Sequence, residues 1–402
     1  MFKIDLDFKS KYIVSVSGGV DSMVLLDLLF EHGYDIVVVH FDHKVRKESE
    51  LDYNLIKTYT TKNKLPFHFI ELQIPPNNFQ ENARNLRHHH LQTIAKKYKT
   101  NYIITAHHLN DLAETILMNI STGSSLSGYS GFKEITNING FIYLKPLLSI
   151  SKEELYAYAR SNDLSFLEDK TNTTSHYLRN RIRNKVITEL SLEPNFLKNI
   201  LTYSKILTTA SSFIRNQTID FLNNLPLNLK TFLSLDIAIQ EDIILFLLEK
   251  NKLNKSYNLI SQIILSLKNN KKPNITIKLS NDFCFIKEYN YFKITHEQPL
   301  IRTTPKIKII TPLKNEKNLT FLCYNNLNYP LKVRNRKNGD KLSFSFGTKK
   351  LKDFLIDKKI PRSLRDTLWI ITDNNDNILW IPNLYLNQTL GNENKISLLL
   401  ED

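Results

Sequence analysis

Residues 12–31 read YIVSVSGGVDSMVLLDLLFE, and the fold turns on how this stretch is divided. YIVSVS has the β-branched and aromatic make-up of a strand, and the apolar run from Met23 is helix-length. Between them lies SGGVDS, Ser17 to Ser22. Strand, glycine turn and helix, in that order, form a phosphate cradle. Gly18 and Gly19 can take positive φ and let backbone N–H groups approach an oxyanion. Ser17 and Ser22 bring hydroxyl donors, and the helix start adds about half a positive charge. No P-loop lysine is present. The competing reading is a plain strand-to-helix turn capped by Asp21 or Ser22.

Outward from this point the pattern repeats. DIVVVHF (35–41), LPFHFIEL (65–72) and NYIITAH (101–107) are further strand candidates with helix-length segments between them. This βαβα order predicts an α/β domain, a parallel nucleotide-binding sheet that takes its ligand at the carboxyl ends of the strands. After Pro146 the sequence turns helical, through SKEELYAYARSND, LRNRIRNKVITEL and NFLKNILTYSKILTTASSFIRNQTIDFL. From about Ile275 alternation returns, in ITIKLSNDFCFIKEYNYFKIT and ILWIPNLYL, predicting a small mixed α+β end. The domains expected are 1–210 (catalytic), 211–300 (mainly helical) and 301–402 (basic, C-terminal).

With 402 residues, 42% of them hydrophobic and 23% charged, the chain has the composition of a folded protein and not of a disordered one. Its two cysteines, Cys284 and Cys323, form no CxxC pair, so thiolate zinc and CxxC redox sites are excluded and a cytoplasmic location is expected. Neither a signal peptide nor a membrane span is visible in the sequence. An excess of 54 basic over 40 acidic residues favours a polyanionic partner, nucleic acid first.

SGGVDS matches the SGGxDS signature of the PP-loop ATP pyrophosphatases, which have the adenine nucleotide alpha hydrolase-like fold. The resemblance implies ATP cleaved between its α and β phosphates, with Ser17, Gly18, Gly19, Val20, Asp21 and Ser22 as the ATP-binding loop. HFDHKVRKES (40–49), ENARNLRHHH (81–90), TAHHLNDLAETILMNISTGSSLSGYSGF (105–132) and LEDKTNTTSHYLRNRIRNKVI (167–187) together resemble the tRNA(Ile)-lysidine synthetase family, in order and in spacing. That resemblance covers the first half and about the last fifth of the chain. It implies ligation of free L-lysine to C2 of the wobble cytidine of a CAU-anticodon tRNA(Ile), through an adenylated cytidine. No membrane is involved, and a homodimer is admissible.

Several residues fit this chemistry. Asp111 and Glu114 sit three apart at the start of the helix that follows NYIITAHH, and the resemblance places them in a lysine pocket with His107 and His108. Asp111-Leu-Ala-Glu114 is equally a capping box, and family members often carry an aspartate where this chain has Asn110. Arg84 and Arg87, three apart on one helix, suit charge building on phosphate oxygens, or else form a solvated face. His88, His89 and His90 point in different directions and do not make a zinc site. Asp42 ends the second strand, where a ribose or adenine would lie, and Asp21 could face the departing pyrophosphate through Mg²⁺. STGSSLSGYSGF (121–132) reads as a mobile loop, with Gly123, Gly128 and Gly131 giving it freedom.

For RNA, LRNRIRNK puts Arg179, Arg181, Arg183 and Lys185 on a helix, with charge spread around its surface. From Lys332 to Arg365 there are 12 basic and 3 acidic residues, a surplus of 9 that accounts for most of the chain's net +14. Arg334, Arg336, Lys349, Lys350 and Lys352 are the tRNA-contact candidates there, and Phe344, Phe346 and Phe354 either stack bases or build a core, core being the default. Two other classes compete: a PP-loop tRNA thiolase, which commonly needs cysteines near its site, and a non-catalytic nucleic-acid binder.

Overall fold

A computed structural model describes residues 4–42, 49–75, 77–168, 178–223, 227–296, 305–310 and 320–401. Parts of two family-like segments, 43–48 and 169–177, fall outside the described residues. The chain divides into two compact units, Met1–Phe213 and Ile214–Asp402.

The first unit contains β1 (Lys11–Ser15), α1 (Val20–Glu31), β2 (Asp35–Asp42), α2 (Ser49–Lys62), β3 (Phe67–Glu71), α3 (Phe79–Lys97), β4 (Tyr102–Ile104), α4 (Leu109–Thr122), α5 (Leu126–Tyr129), β5 (Ile135–Ile138), β6 (Phe141–Leu144) and α6 (Lys152–Ser161). The sheet order is β3-β2-β1-β4-β6-β5. β1 pairs in parallel with both β2 and β4. The chain therefore winds outward from β1 in one direction and resumes at β4 on the other side, which opens a crevice beyond the carboxyl ends of β1 and β4. Burial on both faces explains the apolar strands. Ile13, Val37 and Ile103 pack towards Leu91, Ile94 and Ala95 of α3, while Val14, Val38 and Ile104 pack towards α1 and α6.

Residues 133–145, to which the sequence analysis assigned no element, form the antiparallel hairpin β5–β6. Its two-residue turn is Asn139-Gly140, with φ of 54° and 84°, the conformation a type I′ hairpin turn requires. β6 then pairs in parallel with β4 and extends the sheet. The expected mobile loop at 121–132 also carries structure. Ser125 caps the short α5 by accepting from the Gly128 N–H, and Asn119 Nδ2 donates to the Gly128 carbonyl at 2.6 Å. Gly131, at φ 78°, lies so close to α4 that a Cβ would meet Leu112 at 2.5 Å. There the glycine permits close approach, not freedom.

Beyond α6 come α7 (Leu178–Arg181), a π-helical segment Ile182–Ile187, α8 (Thr188–Leu190) and α9 (Phe196–Asn223). Ile182 and Ile187 pack against Ala113 of α4. In the second unit α10 (Leu229–Leu233), α11 (Ile237–Lys250) and α12 (Tyr257–Lys268) cover an antiparallel sheet of β7 (Asn274–Lys278), β8 (Phe283–Glu288) and β9 (Tyr291–His296), around Phe232, Ile263 and Phe285. The remainder is β10 (Lys306–Ile310), β11 (Thr320–Tyr324), β12 (Lys332–Arg334), β13 (Lys341–Phe344), β14 (Gly347–Lys350), α13 (Leu351–Asp357), α14 (Arg362–Arg365), β15 (Ile370–Thr372), β16 (Ile378–Ile381), β17 (Tyr385–Leu386) and β18 (Asn394–Glu401). These strands form sheets β10-β18-β11 and β12-β15-β16-β17 and the hairpin β13-β14. Among the described residues, no helix is long and apolar enough to cross a membrane.

Candidate active site

The loop leaving β1 is shaped from within. Only Gly18 uses the freedom expected of both glycines. Its φ is +93°, and a Cβ there would meet Asp52 Oδ1 at 2.7 Å. Gly19 has an ordinary φ of −73° and is itself the N-cap of α1, so neither Asp21 nor Ser22 caps that helix. Ser22, 3% exposed, does not offer its hydroxyl to a ligand as expected. Its Oγ accepts from the N–H groups of Ser17 (3.0 Å) and Gly18 (3.2 Å) and donates to the Gly19 carbonyl (3.0 Å). Leu167 N–H holds the Gly18 carbonyl at 3.0 Å. The Ser22 N–H is itself taken by the Gly19 carbonyl at 3.1 Å, so the groups left to meet an anion are the N–H groups of Val20 and Asp21 at the start of α1.

Asp21, in that first turn, reaches across the crevice. Lys152 Nζ, at the start of α6, donates to both its oxygens, at 2.6 and 2.8 Å. His108 Nε2 stands 3.6 Å from Asp21 Oδ2 and 3.5 Å from Asp111 Oδ2. His108 is the N-cap of α4: its Nδ1 accepts from Asn110 N–H, and its own N–H donates to Asp111 Oδ2, both at 3.2 Å. With Nδ1 accepting, the hydrogen-bond network assigns the proton to Nε2, which faces the two carboxylates. A capping box does exist here, but it joins His108 to Asp111 and leaves Glu114 out. Asn110 Oδ1 accepts from the Lys152 backbone N–H at 2.9 Å and so fixes the residue that grips Asp21.

Glu114, whose side chain is 1% exposed, has both oxygens engaged. Arg183 Nε lies 2.5 Å from Oε1, while Arg179 Nε (2.7 Å) and Arg183 Nη2 (2.9 Å) share Oε2. Arg179 Nη2 also reaches Asp111 Oδ1 at 3.1 Å. This corrects the expectation that the helix spreads its charge evenly over the surface. Residues 179 and 183 lie four apart on one face and direct their guanidinium groups onto the α4 carboxylates, Arg179 while still 43% exposed, whereas Arg181 is exposed and has no such partner among the described residues. Glu114 thus accepts three of the roughly four hydrogen bonds a carboxylate can take, and it anchors two guanidinium groups. Burial raises the Asp111 pKa, but His108, His107, Arg179 and a backbone N–H together outweigh it and leave the carboxyl below its ordinary value.

A second group of cations adjoins these. Lys145, following β6, is 9% exposed and donates to the Lys133 carbonyl at 3.0 Å. Burial, and after it Arg84, push its pKa down to about 8. His88 titrates below its ordinary range because of burial and then Arg84, Arg87 and Lys145. His107 packs edge-on to Phe132 and is exposed to solvent. Partial desolvation of the ring lowers its pKa below the ordinary histidine value, with Lys145, Arg179 and His108 acting in the same direction and Asp111 against them. His107 is therefore neutral near pH 7 and a weak proton acceptor. Asp42 ends β2, opposite Glu71 of β3.

Lys145 and Lys152 were not among the sequence candidates. The signal for the second was partial: Ser151 and Glu154 form a capping box that locates the start of α6, but Asp21 is 131 residues away.

In the C-terminal region the structure separates the basic candidates. Arg334 is 13% exposed, forks onto Asp340 at 2.8 and 3.0 Å and reaches Asp376, so it braces the turn and is not presented to RNA. Arg336 pairs with Asp366 and Lys349 with Asp357. Lys350 and Lys352 are exposed. Phe344 and Phe354 join the local core as expected, but Phe346 is 82% exposed, contrary to the default.

A glycine loop on the first strand, a carboxylate in the following helix turn and cations around the crevice define a PP-loop nucleotide-binding protein, and residues 3–190 match the PP-loop domain family. Residues 331–399 match the TilS substrate C-terminal domain. The chain is 44% identical to the tRNA(Ile)-lysidine synthase of Aster yellows witches'-broom phytoplasma (strain AYWB), over 99% of its own length and 95% of that protein's. It is 30% identical to the Enterococcus faecalis (strain ATCC 700802 / V583) enzyme of the same name, over 92% and 90%. This chain belongs to the tRNA(Ile)-lysidine synthase family. Among solved structures, the U34-tRNA thiolase NcsA from Methanococcus maripaludis aligns with 50% of this chain and 74% of its own, at 17% identity and a TM-score of 0.44.

Proposed function

We propose that this chain uses ATP to join free L-lysine to C2 of the wobble cytidine of a CAU-anticodon tRNA(Ile), so that the modified tRNA reads AUA and not AUG. The C2 oxygen attacks the α-phosphorus of ATP and pyrophosphate leaves. The neutral ε-amine of lysine then attacks C2, the C2–O bond breaks, AMP departs and the nitrogen loses a proton. The observation that carries this reading is His108, whose one ring edge faces both the carboxylate of the ATP loop and that of the expected lysine pocket. A site for the first step and a site for the second thus share one residue.

Arg84, Arg87 and Lys145 supply positive charge for phosphate oxygens. Asp111 receives the substrate ammonium, Arg179 and Arg183 are held in place by Glu114, and His107 orients its neighbours without serving as a strong base. Asp21 already attracts a cation through both oxygens, which is the donor chemistry Mg²⁺ needs. Holding the ion there would require Lys152 to give up at least one of them, and the metal would supply charge for the leaving pyrophosphate. Both cysteines lie in the second unit, Cys284 buried and Cys323 exposed, which weighs against a thiolase that uses cysteine beside the nucleotide. Mass spectrometry of CAU-anticodon tRNA after incubation with enzyme, ATP and isotopically labelled lysine tests the proposal. Label on the anticodon cytidine supports it, and unlabelled tRNA overturns it.

A further inference from the structure

The hairpin β13–β14 carries a side chain that the fold does not need. Its strands pair Lys341 with Lys350 and Phe344 with Gly347, leaving Ser345 and Phe346 as the tip. Small and polar residues serve such tips, and an aromatic ring there contributes nothing to the turn. The Phe346 ring is 82% exposed, yet it is held in a defined orientation. It stacks on Phe344 at 5.1 Å between centroids and 11° between planes, and Phe344 is fixed in turn against Tyr385 and Phe354. One face of Phe346 is thus backed by the local core. The ring is oriented before anything binds it.

The charge around it is one-sided. From Lys341 to Lys352 there are four lysines and no acid, and Lys349 alone pairs with a carboxylate among the described residues. Lys341 and Lys350 face each other across the strands, an arrangement of like charges that costs stability unless an anion lies between or above them. A second copy of this chain would bring the same lysines and be repelled. An apolar protein partner would leave them unneutralised. A pre-oriented aromatic face within a few residues of several free ammonium groups suits an unpaired nucleobase with its flanking phosphates.

We infer that Phe346 is a stacking platform for an unpaired base of the RNA substrate, with Lys341, Lys350 and Lys352 neutralising the adjacent phosphates. This rests on the proposed function above for the identity of the RNA and adds the contact. The test measures binding of the parent, Phe346→Ala and Phe346→Trp to CAU-anticodon tRNA(Ile) and to a blunt, fully paired RNA duplex, at one fixed salt concentration. The expected result is about a tenfold loss for Phe346→Ala on the tRNA, near-parental binding for Phe346→Trp, and the same duplex affinity for all three. Unchanged tRNA binding by Phe346→Ala, or an equal loss on the duplex, overturns the inference. If the parent forms lysidine and Phe346→Ala binds tRNA as well as it does, only this inference falls. If the parent forms none, the functional reading falls whatever the binding series gives.

Discussion

Arg183 meets Glu114 at 2.5 Å beneath the crevice, and Arg179 shares the same carboxylate. A carboxylate this deeply buried is tolerable only when its charge is matched, and two guanidinium groups match it. Glu114→Ala would leave those groups facing each other. It is expected to lower stability by about 2 kcal/mol, below the full cost of breaking a buried pair because both arginines keep contact with water. Urea unfolding measures this, and a double-mutant cycle with Arg183→Ala should give a coupling above about 0.5 kcal/mol. Additive effects would show that the pair does not act as a unit.

The two loop glycines should separate under substitution. At Gly18 an alanine must adopt φ +93° and push against Asp52, so Gly18→Ala should destabilise the fold by more than about 1 kcal/mol. Gly19→Ala meets no atom closer than 3.7 Å and should melt within a degree or two of the parent. If backbone N–H groups there approach phosphate, Gly19→Ala still loses most ATP turnover. A variant that folds and turns over normally would remove the phosphate from this loop.

Asn110 gives a sharper test. Its Oδ1 takes the Lys152 N–H, a role a carboxylate oxygen fills equally well. Asn110→Asp should therefore keep stability and activity near parental, while Asn110→Ala loses an acceptor worth about 1 kcal/mol and raises KM for ATP by loosening Lys152 on Asp21. Equal behaviour of the two variants in thermal melts and ATP titrations would break the link.

How much of this was legible in advance follows from how local each signal is. SGGVDS between a β-rich run and an apolar run places the loop, because strand, turn and helix are decided by neighbouring residues. The Asn139-Gly140 hairpin was equally local and readable, since an Asn-Gly pair flanked by alternation is a hairpin signal. Ion pairs are different. Arg179 and Glu114 are 65 residues apart, so the spacing in LRNRIRNK showed a basic helix but not which face meets the α4 carboxylates. Phe346 and Phe344 look alike in sequence, and only the position of the hairpin tip distinguishes the exposed ring from the half-buried one.

Lys145 should leave a signature in alkaline stability. The folded chain releases this proton near pH 8, the unfolded chain nearer its ordinary 10.5. Between those values the unfolded state binds more protons, so stability rises with pH, and the cost of burying the charge is felt below pH 8. Relative to Lys145→Met, the parent should gain on the order of 2 kcal/mol between pH 8 and 10.5. Chemical unfolding of both proteins across that range measures the gain, and parallel curves would mean that Lys145 titrates normally.

In the proposed reaction ATP is cleaved at its α-phosphorus to activate a base before lysine arrives. Enzyme mixed rapidly with CAU-anticodon tRNA and α-labelled ATP, without lysine, should release pyrophosphate in a burst stoichiometric with active sites and retain the label on RNA. AMP should appear only when lysine is added. Release of ADP and orthophosphate, or pyrophosphate release that does not require the tRNA, would contradict the account.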